Sequence, residues 1–235
     1  MSPKRSTANE RRVSAPLPQK QAPAPRPQVT LSIDRGGKRT QLQGTVIGKE
    51  GGTLTVLTAA HGIGPKDVDG KIRLKQGDAT ATGRVEKADH NPYYRPQPSS
   101  DIPGADNAIV RIRLDEGGTL DAAKLRAAAF AAWATPEPDG QIVMAQMIDQ
   151  FGAGHIVKGG NYSNPRWLEW GPTYHPVGGD SGSGVFVLRK KADGTTAPIL
   201  VGVVVDRSER GGGASLVHAK DKWVQAARKP IKPAG

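Results

Sequence analysis

From residue 29 to residue 217 glycine-rich turns cut the chain into short apolar runs, and this punctuation limits what it can fold into. Residues 29–33, 41–47, 53–58, 71–74, 81–85 and 108–114 form the first such runs, many of them β-branched. Residues 141–148, 155–157, 167–170, 184–189, 199–205 and 214–217 continue the series. They alternate or are apolar throughout, as half-buried and fully buried strands do. Asp34-Arg35-Gly36-Gly37, Gly48-Lys49-Glu50-Gly51-Gly52 and Ala192-Asp193-Gly194 stand between runs and carry turn chemistry. About a dozen short strands at this spacing suit two packed barrels better than one sandwich. The fold class read from the sequence is all-β.

Three stretches break the pattern. Residues 91–105 are proline-rich and read as a loop. Residues 121–134 are alanine-rich, which predicts a helical turn over 121–127 and extended chain after it. Residues 219–228 have helical composition, with Trp223, Val224 and Ala227 on one face. The first 29 residues hold six prolines and few large apolar groups, so they read as a disordered arm. The expected organisation is therefore an arm over 1–29, a first barrel over 30–120, a second over 121–217, a helix over 218–228 and a basic tail over 229–235.

The formal net charge of +11 sits mostly at the ends: residues 1–29 carry +5 and residues 218–235 carry +4. An affinity for nucleic acid or an acidic partner would reside in those termini. The absence of cysteine excludes disulfides, thiolate nucleophiles and zinc fingers. No apolar run approaches the ~20 residues of a membrane span. The N-terminus has basic residues without an apolar run behind them, so no secretory signal is expected and an intracellular or virus-encoded setting is favoured.

Three segments carry chemistry. Leu57-Thr58-Ala59-Ala60-His61-Gly62 puts a histidine after a buried-looking strand. Asp106-Asn107-Ala108-Ile109-Val110 puts a carboxylate before another. Gly178-Gly179-Asp180-Ser181-Gly182-Ser183-Gly184 puts a serine in a glycine-rich turn. A serine hydroxyl needs a neighbouring base to become a nucleophile. An imidazole with a pKa of ~6.5 suits that task, and a carboxylate can fix its tautomer. The N–H groups of Gly179 and Ser181 are candidates to hold a developing oxyanion. Asp101, in the proline-rich loop, is the rival to Asp106.

With these motifs the sequence resembles the trypsin-like (chymotrypsin-fold) serine peptidases. Thr-Ala-Ala-His at 58–61 and Gly-Asp-Ser-Gly at 179–182 are similar to that family's two most specific motifs, and Asp-Asn-Ala-Ile-Val at 106–110 to a third, weaker one. The resemblance covers roughly residues 40–225. It implies two six-stranded antiparallel β-barrels with a cleft between them, a catalytic triad of His61, Asp106 and Ser181, and a serine endopeptidase acting through an acyl-enzyme. It also implies a substrate-binding strand at Val203, Val204 and Val205, and a specificity pocket shaped near His175. Without an Ile-Val-Gly-Gly start or cysteines, and with Gly-Thr-Val-Ile-Gly at 44–48 and Ser183 after Gly182, the chain looks closer to bacterial glutamyl-endopeptidase-like or viral chymotrypsin-like proteases. Gly184 departs from the proline common in those groups. Asp180 then needs a partner other than a freed N-terminus.

His90, His155 and His218 lack metal-ligand spacing and read as surface or satisfied-core residues. Asp206 and Arg207 read as charged rim residues, and Trp167 and Trp170 as core or cleft wall. The expected partner is a protein or peptide substrate, the expected oligomeric state is a monomer, and no metal or organic cofactor is expected. Two alternatives to the enzyme remain open at this point. One is a catalytically silent chymotrypsin-fold assembly module. The other is a nucleic-acid-binding or virion-associated protein that uses its basic termini.

Overall fold

The computed structural model describes residues 27–95, 104–121, 125, 127–128, 143–160, 166–190, 193–208 and 211–229. The stretch before residue 27, most of the alanine-rich segment, Asp101 and the tail beyond 229 lie outside the described residues. The helical turn expected over 121–127 and the extended run after it fall largely there too.

Six strands come first: β1 (Gln28–Arg35), β2 (Lys38–Glu50), β3 (Thr53–Thr58), β4 (Lys71–Gln76), β5 (Ala79–His90) and β6 (Ala108–Leu114). They close into a barrel in the order β1-β2-β3-β6-β5-β4. Six more follow: β7 (Val143–Ile148), β8 (Gly154–Gly160), β9 (Trp167–Trp170), β10 (Gly184–Lys190), β11 (Thr196–Ser208) and β12 (Gly211–Leu216). These close in the order β10-β11-β12-β9-β8-β7. The molecule is therefore two six-stranded antiparallel barrels, followed by α1 (Lys222–Ala227). Closure removes the free strand edges that an open sheet would expose.

Alternation explains the strands. In β4, Ile72 and Leu74 are buried while Lys71, Arg73 and Lys75 face out. Several strands run further than their apolar runs, because ladder hydrogen bonds continue through polar side chains until a turn stops them. β1 opens at Gln28 and takes in the last residues of the stretch read as arm. In β5 a bulge at Val85–Lys87 shifts the phase by one residue, so Ala88 rather than Lys87 faces inward.

Each barrel has its own apolar filling. Leu31, Leu42, Leu54, Val56, Leu74 and Ile112 belong to the first, and Met147, Val157, Leu168, Trp170 and Val185 to the second. A third cluster joins them. It combines Ile47, Leu57 and Ile109 of the first barrel with Phe186, Leu200 and Val203 of the second. Val224 and Ala227 of α1 complete it, and Trp223 packs against it, as the shared helical face predicted. Among the described residues no helix is long and apolar enough to cross a membrane.

Candidate active site

The pairing of β3 with β6 explains why His61 meets Asp106. Thr58, the last residue of β3, lies opposite Ala108, the first of β6. His61 leaves the end of one strand three residues on, and Asp106 approaches its neighbour two residues before. Both emerge at the same end of adjacent strands. His61 Nδ1 lies 2.7 Å from Asp106 Oδ2, and the His61 backbone N–H donates to Asp106 Oδ1 at 2.9 Å. One carboxylate thus holds both the ring and the backbone of the histidine. With Nδ1 engaged, Nε2 is the nitrogen left to accept a proton from elsewhere. The His61 side chain is 42% exposed. The hydrogen bond to Asp106 raises the imidazole pKa above its ordinary value; burial opposes that rise and the charge of Asp106 adds to it.

Residues to which the sequence assigned no part in the site surround this pair. Asn107 is fully buried and its Nδ2 donates to Ser215 Oγ in β12, which ties the Asp106 segment to the second barrel. Asn91 Nδ2 donates to Asn107 Oδ1 at 3.3 Å. His90 is a satisfied histidine, as expected. Its Nε2 lies 2.8 Å from the carbonyl of Ile63, just past His61, and its ring meets Tyr94 edge-on. Nothing in their sequence spacing marks these roles.

Ser181 comes from the second barrel, and the first barrel grips the turn that carries it. Gln43 in β2 donates its backbone N–H to the Ser181 carbonyl at 2.7 Å. Gln43 Nε2 donates to the Gly179 carbonyl at 3.2 Å. Gly182 packs against the same strands: a Cβ there would lie 2.0 Å from the Gln43 carbonyl and 2.5 Å from Thr58 Oγ1. Its φ of +85° also favours glycine. The serine turn therefore rests on Thr58, three residues before His61. The turn that carries Ser181 and the end of β3 that leads to His61 are packed together at one junction between the barrels.

The backbone of the turn is sorted into bonded and unbonded donors. Asp180 N–H donates to Val177 O, and Gly182 N–H to Val204 O. The N–H groups of Gly179 and Ser181 make no hydrogen bond among the described residues. Gly179 has a φ of +101°, and a Cβ on it would strike Gln150 Oε1 at 2.4 Å.

Asp180 has the partner that the sequence left open. Its carboxylate is fully buried and accepts from Tyr174 Oη at 2.7 Å, from Val177 N–H at 2.9 Å and from Gln150 N–H at 2.9 Å. Burial first, then the hydrogen bond and charge of Asp180, push the Tyr174 hydroxyl well above the usual tyrosine range, so it remains a donor at neutral pH. The Tyr174 ring lies against His155, whose Nε2 is 2.7 Å from Asp149 Oδ2. Tyr174→Phe leaves a buried carboxylate one donor short and is expected to cost about 1–3 kcal/mol of stability. Urea unfolding measures it; an unchanged midpoint would mean that another donor replaces the phenol.

The remaining candidates are placed as follows. Val203 and Val204 are buried, in the inter-barrel cluster and the second-barrel core respectively. Val205 is half-buried and sits at a bulge between Val204 and Asp206. The Val205 side chain packs against the inter-barrel cluster. His175 is exposed, six residues before Ser181. Trp170 is buried in the second core, as expected, and Trp167 is half-buried. His218 accepts from the Lys220 N–H at 3.0 Å and lies outside the cluster just described. Among the described residues no group of three or more His, Cys, Asp or Glu is arranged to hold a metal ion.

No protein-family model matches the chain, and no curated protein matches it in sequence. Its similarity lies in three dimensions. The structure of neuropsin, a serine protease expressed in the limbic system of mouse brain, superposes with a TM-score of 0.59 at 15% identity, covering 88% of this chain and 96% of neuropsin. The fold is that of the trypsin-like serine proteases.

Proposed function

We propose that the chain is a serine endopeptidase. Ser181 Oγ attacks the scissile carbonyl, His61 Nε2 takes its proton, and Asp106 orients the ring and stabilises the imidazolium. The N–H groups of Gly179 and Ser181 receive the oxyanion. His61 then protonates the leaving amine, and water releases the acyl group through the same base. Val205 and the backbone around it, with His175 at the rim, are the proposed substrate contacts. No metal or organic cofactor enters any step.

The observation that carries this reading is the doubly anchored His61–Asp106 pair, at 2.7 and 2.9 Å, beside a serine turn held by Gln43 and Thr58. The donors around Asp180 support a turn that forms without insertion of a freed N-terminus, and so an enzyme that needs no cleavage to become active. The absence of cysteine supports kinship with bacterial or viral rather than digestive enzymes.

The test is labelling with a fluorophosphonate probe, followed by mass-spectrometric mapping. The adduct is expected on the peptide containing Ser181. No adduct, or one on another serine, would reject the enzyme and favour a silent assembly module of the same fold.

A further inference from the structure

A second feature lies outside the candidate triad, on the outer face of the first barrel. A groove of about 1000 Å³ runs across β1, β2 and β4, with the 149–152 loop of the second barrel as its far wall. The strand period makes its floor. Leu31, Leu42 and Leu74 turn inward to the core, so their neighbours Ser32, Gln41, Arg73 and Lys75 turn outward. Ser32 lies between Gln41 and Arg73 in the ladder, and Thr30 between Gln43 and Lys75.

The lining is basic. Arg39, Arg73 and Lys75 are exposed and, among the described residues, none of the three forms an ion pair. Among the described residues Asp78 is the one carboxylate in the lining. Asp34, opposite Arg39 in the ladder, accepts from the Gly37 N–H at 3.2 Å. The inner end of the groove is Gln43 and Gln150, whose amide groups donate to the carbonyls of Gly179 and Gly178. Phe151 stands at the rim, 85% exposed. The groove therefore includes the two side chains that bond the segment leading into Ser181, and it extends over a cationic face.

We propose that this groove holds an acidic, extended segment of the polypeptide on which Ser181 acts. The inference rests on the hydrolase reading and adds a substrate class to it. Arg73 and Lys75 are alternate residues of one strand, hence ~7 Å apart, the spacing of alternate side chains on an extended peptide. The chain itself is a poor occupant. Its first 26 residues hold six Lys and Arg against one Glu, and a second copy brings a net charge of +11. Nucleic acid fits less well than peptide, because single strands bind on aromatic platforms and, among the described residues, Phe151 is the one aromatic residue in the lining.

The experiment compares peptide pools that share a degenerate scissile core. Each pool carries alternating Glu or alternating Gln, on the amino side or the carboxyl side of the core. At low salt the Glu pool is expected to be cut on the order of tenfold faster on one side only, as single-sign clefts concentrate opposite charge. That ratio should collapse towards one in ~0.5 M salt. The double variant Arg73→Glu, Lys75→Glu should invert it. The ratio is read within each protein, so a general loss of activity does not disturb it, and the salt series on the wild type stands if the variant does not fold. Equal cleavage of the Glu and Gln pools by unlabelled enzyme, from a preparation of which a separate aliquot takes up the fluorophosphonate at Ser181, overturns the groove assignment alone. Absence of labelling rejects the hydrolase reading instead. A fluorescein-tagged oligo-dT that binds the Ser181→Ala protein more tightly than the Glu peptide, and is released by the charge reversal, overturns it in favour of nucleic acid.

Discussion

Ser181→Ala is expected to lower kcat/KM for any cleaved peptide by about six orders of magnitude, and His61→Ala to do nearly the same. The double variant should be no worse than either single one, because the hydroxyl and its base act as one unit. The physical basis is the junction described above. Gln43 and Gly179 are 136 residues apart and bonded, so the serine turn is fixed against β2, whose Gly44 pairs with Thr58 at the end of β3 that leads to His61. Residual catalysis over water should survive from the Gly179 and Ser181 N–H groups. Peptide cleavage followed by mass spectrometry measures the loss. A Ser181→Ala protein that keeps more than a trace of the wild-type rate would mean that the nucleophile lies elsewhere.

Asp106→Asn is expected to cost about four orders of magnitude in kcat, the loss that triad enzymes suffer when the orienting carboxylate becomes an amide. The variant also changes the pH profile, in a direction that follows from the causes acting on His61. A general base works only when neutral, so activity falls as the pH drops through the imidazole pKa. Asp106 raises that pKa by hydrogen bond and charge, while burial lowers it. The acid limb of the wild-type kcat/KM profile therefore lies above the ordinary imidazole value of ~6.5. With the carboxylate gone, only the lowering effect of burial remains, and the limb moves to more acid pH. A limb that stays in place in Asp106→Asn would show that another group governs the profile.

Much of this architecture was legible one run at a time. β3, β6 and β9 begin and end where their apolar runs do, because a turn residue or a loop bounds each of them. β5 and β11 run longer than their apolar cores, since a bulge lets a strand change phase and continue. The three chemical segments stood out because a serine needs small neighbours and a histidine needs a carboxylate. Asn107, His90, Gln43, Gln150 and Tyr174 did not stand out. They act through hydrogen bonds to residues outside their own strand or turn, Gln43 and Gln150 through two each, and no local pattern records such bonds.

The linear order of residues decided the strand series, the helix at the end, the charge balance and the residue types able to activate a hydroxyl. Those properties depend on near neighbours and on chemistry that a side chain carries wherever it lies. The closure of each barrel, the pairing of His61 with Asp106, the docking of the serine turn on Gln43 and Thr58, the donors around Asp180 and the basic groove were decided by the tertiary structure. They require groups far apart in the chain to share a few ångströms, and only the packing of one barrel against the other brings them together.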